Sequence, residues 1–271
     1  MRLFGGNTVH QILDLTRYPI DQPTLTSALV EQCRRELARD GMFNLPGFVR
    51  PDAVQAMVDH VAPLAATDSF THQREHNVYF LRSVADLAPD HPALTRFRTT
   101  NHTVCGDQLR DNLITRIYEW EPLQRFIAAV LEIPQLYPME DPIARLNVME
   151  YRPGEALNWH FDRSRYTTTL LLRAAEHGGE FEYRTDLRSD SDPNYEGVGR
   201  FLTGADPDCH VNPLEAGTLN VFAGKNTLHR VSTVQGSQSR LVGVFSYYDR
   251  PNVTFSDEER IGFYGRSTPR H

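Results

Sequence analysis

The chain has 271 residues, with 28 Lys plus Arg against 35 Asp plus Glu, a formal charge of −7, and 40% hydrophobic and 10% aromatic residues. The acidic balance argues against a nucleic-acid partner, and the apolar content suffices for a sizeable core in one large domain or two small ones. The longest apolar runs, such as 126–131 and 169–172, fall far short of the roughly 20 residues that cross a bilayer, so no membrane association is expected. The segment Met1 to Asn7 lacks a long apolar stretch with a small-residue cleavage site, and the three cysteines (Cys33, Cys105, Cys209) are odd in number and scattered. A cytoplasmic location is the expectation.

In chain order, Leu25, Leu29, Cys33 and Leu37 recur at helical spacing with a stop at Gly41, and a short extended piece, Met42 to Pro46, follows. Pro51-Asp52 opens a second helix with Val54, Met57, Val58 and Val61 on one face, and the pattern returns from Glu121 to Leu131 through Leu123, Phe126, Ile127 and Val130. After residue 140 the runs become short, β-branched or aromatic and punctuated by turn residues, which predicts strands at 143–151, 158–161, 167–172, 180–183, 218–222, 230–234 and 240–248. Strands without βαβ alternation predict an antiparallel sandwich or barrel, with the helices covering its outer face. The expected division is a helical cover over 1–140, a β core over 141–250 and a tail over 251–271 that closes the pocket. The stretch from Arg188 to Pro213, rich in Asp, Gly, Asn and Pro, reads as a long loop that shapes a pocket.

Chemistry concentrates in Asn158-Trp-His160-Phe-Asp162, where strand alternation puts His160 and Asp162 on one face. Chance placement of 11 His and 35 acids would itself produce such a pair, and a His bonded to a nearby carboxylate at a sheet edge is the structural alternative. A second strand carries Leu228-His229-Arg-Val231, and Arg240 opens a third. Two imidazoles and one carboxylate on one face suit a divalent first-row metal with open coordination positions, as non-haem Fe(II) oxygen chemistry requires, whereas a closed zinc site would want a fourth protein ligand. His72 and His76 have the spacing of a helical metal pair, but nothing nearby completes a site and a solvated polar face is the expectation. The dinucleotide fingerprint, phosphate loop and nucleophile elbow are all missing from the sequence, which removes support for a dehydrogenase, kinase or esterase.

Over about Asp141 to Tyr248 the chain resembles the Fe(II)/2-oxoglutarate-dependent oxygenases with a double-stranded β-helix. The resemblance rests on Tyr151-Arg-Pro-Gly154, His160-Phe-Asp162, Gly178-Gly-Glu-Phe181, Glu215 to Phe222, His229-Arg-Val231 and Arg240, with an echo in Asp40 to Gly47. It implies an α+β, mainly β fold: a jelly-roll (cupin-like) core with the N-terminal helices on its outer face. It implies His160, Asp162 and His229 as ligands of Fe(II), Arg240 as partner of the distal carboxylate of 2-oxoglutarate, and Tyr151 and Asn147 as further cosubstrate contacts. O2 is the second cosubstrate, and ascorbate is expected to support activity. Leu157 stands where the prolyl-hydroxylase pattern has a second aromatic, which disfavours a peptidyl-proline substrate. The run from Ser246 to Arg266 resembles the branch of free-amino-acid hydroxylases and radical halogenases. Halogenases there carry Gly or Ala in place of the acid, so Asp162 favours hydroxylation. Arg163 stands where members acting on basic amino acids carry an acid, which points to an anionic substrate group or a solvent position, and Tyr264 is expected to close over the substrate from the tail.

The expected function is therefore hydroxylation of a C–H bond in a small polar molecule, a free amino acid or derivative, with release of succinate and CO2, by a monomer or homodimer. The rival readings are desaturation, cyclisation or epimerisation at the same iron centre, and a non-catalytic jelly-roll protein that binds metal or ligand. The three ligands together with Arg240 weigh against the last.

Overall fold

The computed structural model describes residues 9–85 and 87–270; the segment Met1 to Asn7 lies outside them. After α1 (Val9–Ile12), helix α2 (Pro23–Asp40) begins with proline at its first position and ends at Gly41 in the left-handed conformation. Its buried stripe is Val30 and Cys33, flanked by Leu29 and Leu37, while Leu25 is 54% exposed, so the expected stripe starts one turn too early. β1 (Met42–Leu45) leads to α3 (Pro51–Thr67), which buries Val54, Met57, Val58 and Val61 as its spacing predicts. Two strands then appear inside the region expected to be helical, β2 (Phe70–His76) and β3 (Phe97–Val104), before the short α4 (Leu113–Tyr118) and the amphipathic α5 (Glu121–Val130).

The remaining strands are β4 (Tyr137–Pro138), β5 (Leu146–Tyr151), β6 (Leu157–His160), β7 (Thr167–Arg173) and β8 (Phe181–Arg184). Helix α6 (Tyr195–Leu202) and strand β9 (His210–Asn212) follow, so the stretch expected to be a loop carries both. α6 buries Val198 and sets Phe201 edge-on to Trp159 at 4.9 Å, supporting β6 from behind rather than lining a pocket. The chain continues with β10 (Leu219–Phe222), β11 (Leu228–Val231), β12 (Arg240–Phe245), β13 (Tyr247–Tyr248) and α7 (Asp257–Tyr264).

All pairings are antiparallel. The major sheet has the order β1-β10-β7-β12-β5-β3-β2 and the minor sheet β6-β11-β8-β9, with β13-β4 as a small ribbon. Period-two alternation divides the work of the major sheet. Leu146, Val148, Leu170, Leu172, Leu219, Val221 and Leu241 point outward into the main core beneath α2 to α5, and the alternate residues point inward toward the minor sheet. This is the mainly β jelly-roll with a helical cover, enlarged by β2 and β3. Those two strands escape an apolar-pattern search because their inward positions (His72, Arg74, Thr99, Asn101, Thr103) are polar side chains that line the cavity instead of a hydrophobic core. No helix of the described residues is long and apolar enough to cross a membrane.

The tail is clamped at both ends of α7. Arg260 reaches the fully buried side chain of Asp141 at 2.7 Å, and Arg266 grips Asp107 through two contacts of 2.7 and 2.8 Å. Burial pushes the Asp141 carboxyl upward, but the amides of Ala144, Phe255 and Ile143 together with Arg260 outweigh it and hold its pKa below the usual range. Arg260→Ala should cost about 2–3 kcal/mol in urea unfolding, the scale of a hydrogen-bonded buried charge losing its partner. Because the folded-state pKa of Asp141 is depressed, its contribution is present at neutral pH and fades as the pH falls below about 4, the ordinary value of an unfolded aspartate. The stability gap between wild type and Asp141→Asn should shrink over that window.

Candidate metal centre and its cavity

Strands β6 and β11 pair so that His160 and His229 are direct neighbours across the ladder. Each imidazole donates its Nδ1–H to the carbonyl two residues upstream in its own chain segment, His160 to Asn158 at 2.8 Å and His229 to Thr227 at 2.9 Å. A carbonyl only accepts, so this bond fixes the tautomer and leaves each neutral Nε2 with its lone pair facing the same point. Asp162, just past the end of β6, brings Oδ1 to 3.4 Å from His160 Nε2 and 3.6 Å from His229 Nε2. Its other oxygen accepts a hydrogen bond from Thr167 Oγ1 at 2.6 Å, and its amide donates to the Gly224 carbonyl at 2.9 Å. One ligand atom from each of the three residues lies within 4.8 Å of the others, and this is the one such cluster of His, Cys, Asp or Glu among the described residues.

The electrostatics agree with a cation-binding role. Burial works to raise the pKa of Asp162, yet His229 and His160 overcome it and hold the carboxyl well below its usual range. Burial, reinforced by His229, pushes the His160 pKa down, which keeps the ring neutral and able to donate its lone pair. Around the cluster, Phe181 stacks on His229 at 5.5 Å and Phe222 meets it edge-on at 4.9 Å. The Gly178-Gly179 pair lets the chain before β8 pass close to Thr233 and the Arg240 stem. Both adopt positive φ (61° and 63°), a Cβ on Gly178 would run into the Thr233 carbonyl, and one on Gly179 would press on Arg240 Cδ.

The cavity between the two sheets has a volume of about 360 Å³ and takes in His160, Asp162, His229, Arg240, Tyr151, Arg163 and Tyr264. Arg240 opens β12 directly opposite Tyr151 on β5 and is 3% exposed. Its Nη1 is buried without a hydrogen-bond partner, and burial pushes its pKa down to about 10 despite the opposing effect of Tyr151. A buried guanidinium with an unfilled donor is built to receive an anion. The Tyr151 hydroxyl has only the Met149 thioether, 3.6 Å away, as an acceptor, and burial raises its pKa to about 12. The donor set thus fits a divalent first-row metal, and the orphaned Arg240 fits a carboxylate beside it.

Of the expected site residues, Asn147 is placed differently and Arg163 takes the solvent position, one of its two expected placements. The Asn147 amide donates to the Ile143 and Leu146 carbonyls, its oxygen accepts the Tyr264 hydroxyl at 2.9 Å, and it does not line the cavity. The Arg163 side chain is 77% exposed at the mouth, 3.7 Å from Glu259 and 5.5 Å over the Phe263 ring. The pair at 72 and 76 lies on a strand, not a solvated helix face. His72 lines the cavity, while His76 is buried, bonded to Thr99 Oγ1 at 2.8 Å and stacked on Phe80 at 4.6 Å, with burial pushing its pKa down to about 4. Residues not anticipated from the sequence, Arg74, Thr99, Asn101, Thr103 and Thr167, come chiefly from β2 and β3, whose only signal was the i, i+2 recurrence of polar side chains.

Single changes of His160, Asp162 or His229 to Ala should each lower affinity for Mn(II), measured by calorimetry on metal-stripped protein, by at least about a hundredfold, the scale on which metal sites lose affinity when their ligation is disturbed. Unchanged binding in all three would refute the cluster as a metal centre.

Residues 25–258 match the family described as Halogenase D. No curated protein matches the chain in sequence at a significant level. Among solved structures it is similar to the non-haem α-ketoglutarate-dependent epimerase SnoN from nogalamycin biosynthesis, at 15% identity and a TM-score of 0.56 over 82% of this chain and 81% of that one. It is likewise similar to a prolyl hydroxylase from Trichoplax adhaerens in complex with a hypoxia-inducible factor peptide fragment (13% identity, TM-score 0.55, covering 84% and 92%). A third is the non-haem α-ketoglutarate-dependent carbocyclase SnoK (12% identity, TM-score 0.54, covering 89% and 93%). At these identities the likeness is one of fold. The matched family model spans most of the chain, so the protein belongs to the Halogenase D family, built on the double-stranded β-helix of the Fe(II)/2-oxoglutarate-dependent oxygenases.

Proposed function

We infer that the chain is an Fe(II)/2-oxoglutarate-dependent dioxygenase that hydroxylates a C–H bond of a small polar substrate, a free amino acid or a derivative. The observation that carries this reading is the convergence of His160, Asp162 and His229 in a cavity that also holds the unpartnered guanidinium of Arg240. Bound together with 2-oxoglutarate and O2, iron supplies the oxidising chemistry, and succinate and CO2 leave as co-products.

The residues of the chain have separate tasks. His160, Asp162 and His229 would hold the metal, with their rings and carboxylate already oriented by Asn158, Thr227 and Thr167. Arg240 would pair with the distal carboxylate of the cosubstrate, and the Tyr151 hydroxyl beside it, whose one proton rests on the weak thioether acceptor of Met149, would turn to donate to the cosubstrate instead. Phe181, Phe222 and Val231 keep water from the centre. Asn147 serves by holding Tyr264, which lines the cavity from the tail. The family name points to halogenation as the rival outcome, but that chemistry needs a ligand position that Asp162 fills here. Solved neighbours include an epimerase and a carbocyclase, and the placement of the substrate C–H bond decides among such outcomes.

The test is an assay with Fe(II), 2-oxoglutarate, O2, ascorbate and chloride against a panel of neutral free amino acids and related metabolites, reading succinate and product mass together. A product that gains one oxygen, with matching succinate and no chlorine isotope pattern, is expected. A chlorinated product would replace hydroxylation by halogenation, and a product lighter by two hydrogens would indicate desaturation or ring closure. Arg240→Ala should raise the apparent KM for 2-oxoglutarate by at least about tenfold, as loss of a charge-assisted bidentate contact does, and an unchanged KM would remove Arg240 from this role.

A further inference from the structure

The cavity contains a second arginine that the cosubstrate reading does not use. Arg74 lies on β2 opposite Thr99 of β3, two residues from His72, and faces inward. Its guanidinium stacks over Phe80 at 4.2 Å, its Nε is buried without a partner, and it has no ion pair or hydrogen bond among the described residues. Its surroundings are hostile to a free cation: burial, then the charge of Arg163, push its pKa down. Asp162 is the one carboxylate among the described residues that line the cavity, and it belongs to the metal cluster.

A half-buried cation fixed by an aromatic ring, with an open hydrogen-bonding edge and no acid in reach, lacks its natural counter-charge. The metal cluster and Arg240 account for both ends of the 2-oxoglutarate dianion, so the vacant edge of Arg74 is left for the other reactant. We propose that Arg74 anchors the carboxylate of the substrate and that the substrate's side chain carries no positive charge, which makes this a hydroxylase of amino acids or related carboxylates with uncharged side chains; the proposal rests on the oxygenase reading above. The planar fork of a guanidinium matches a carboxylate through two parallel bonds. A cationic side chain on the substrate would have to lose its hydration in a cavity that offers two further arginines and no free acid. The aromatic rings of Phe80, Phe263 and Tyr166 offer an uncharged side chain apolar contacts instead.

The test uses purified protein loaded with Mn(II) and 2-oxoglutarate without oxygen, titrated calorimetrically with three probes of one chain length: caproate, caproamide and ε-aminocaproate. Caproate should bind at least about tenfold more tightly than either of the others, equivalent to one charge-assisted contact. Arg74→Met should abolish that preference while leaving the 2-oxoglutarate affinity within about twofold, whereas Arg240→Met should weaken 2-oxoglutarate itself. Arg74→Lys, which keeps the charge but not the fork, should retain a reduced preference and guards against a folding defect in the Met variant. Equal binding of caproate and caproamide, a preference that survives Arg74→Met, or a loss of 2-oxoglutarate affinity in Arg74→Met equal to that in Arg240→Met would overturn the proposal alone. Failure of wild-type protein to bind Mn(II) and 2-oxoglutarate would overturn the oxygenase reading and the proposal with it.

Discussion

Two hydrogen bonds from imidazole Nδ1 atoms to backbone carbonyls set the geometry on which everything else in this molecule depends. His160 and His229 sit opposite each other on antiparallel strands, and each is locked by the carbonyl two residues before it. The same local device is used twice, so the ring orientation is dictated by backbone conformation rather than by distant side chains. Only with both rings fixed does Asp162, at the end of one of those strands, find two nitrogen atoms within 4 Å of one oxygen. One backbone acceptor lies within β6 and the other immediately before β11, so the geometry of the cluster follows that of the minor sheet that carries it.

The major sheet extends this logic to the rest of the pocket. Its outer face is aliphatic and held under the helices, and its inner face can therefore be polar without loss of the fold's main core. That division explains how three arginines and a run of threonines come to share one cavity. Arg74 and Arg240 are anchored by their strands while Arg163 reaches in from the bend after β6, and the cost of burying the two strand arginines is offset by packing on the opposite side of the same sheet.

The sequence revealed the metal cluster and the core strands because those elements carry redundant signals: β-branched runs, turn residues at their ends, and a ligand pair at i, i+2. Arg240 and the paired glycines were legible through the family resemblance, and the structure supplies the packing reason for Gly179 beneath the Arg240 stem. β2 and β3 were missed for a physical reason. FTHQREH and FRTTNHTV place polar side chains both toward the cavity and on a partly exposed face, so they carry no apolar rhythm. The same absence hid Arg74. Asn147 was expected near the cosubstrate because it shares a strand parity with Tyr151, but parity says nothing about which partner reaches it first, and Tyr264 from the far end of the chain does. In the stretch from Arg188 to Pro213, the turn-rich composition masked an eight-residue helix whose burial depends on Trp159, a long-range partner that local pattern cannot show.

The clamps on α7 have a further consequence. Asp107 and Asp141 lie in the connections flanking the β3 to β5 region, outside the strands that hold the ligand cluster, yet they grip the segment that brings Phe263 and Tyr264 to the cavity. The tail wall of the cavity and the strands that carry the ligand cluster therefore belong to different parts of the chain, the tail being held by two charge pairs and by the Tyr264–Asn147 bond. Such a construction leaves the register of β6 and β11 independent of the tail and its aromatic residues. Changes to the aromatic wall and changes to the metal cluster are therefore separable, because no residue of α7 lies on the strands that orient the two imidazoles.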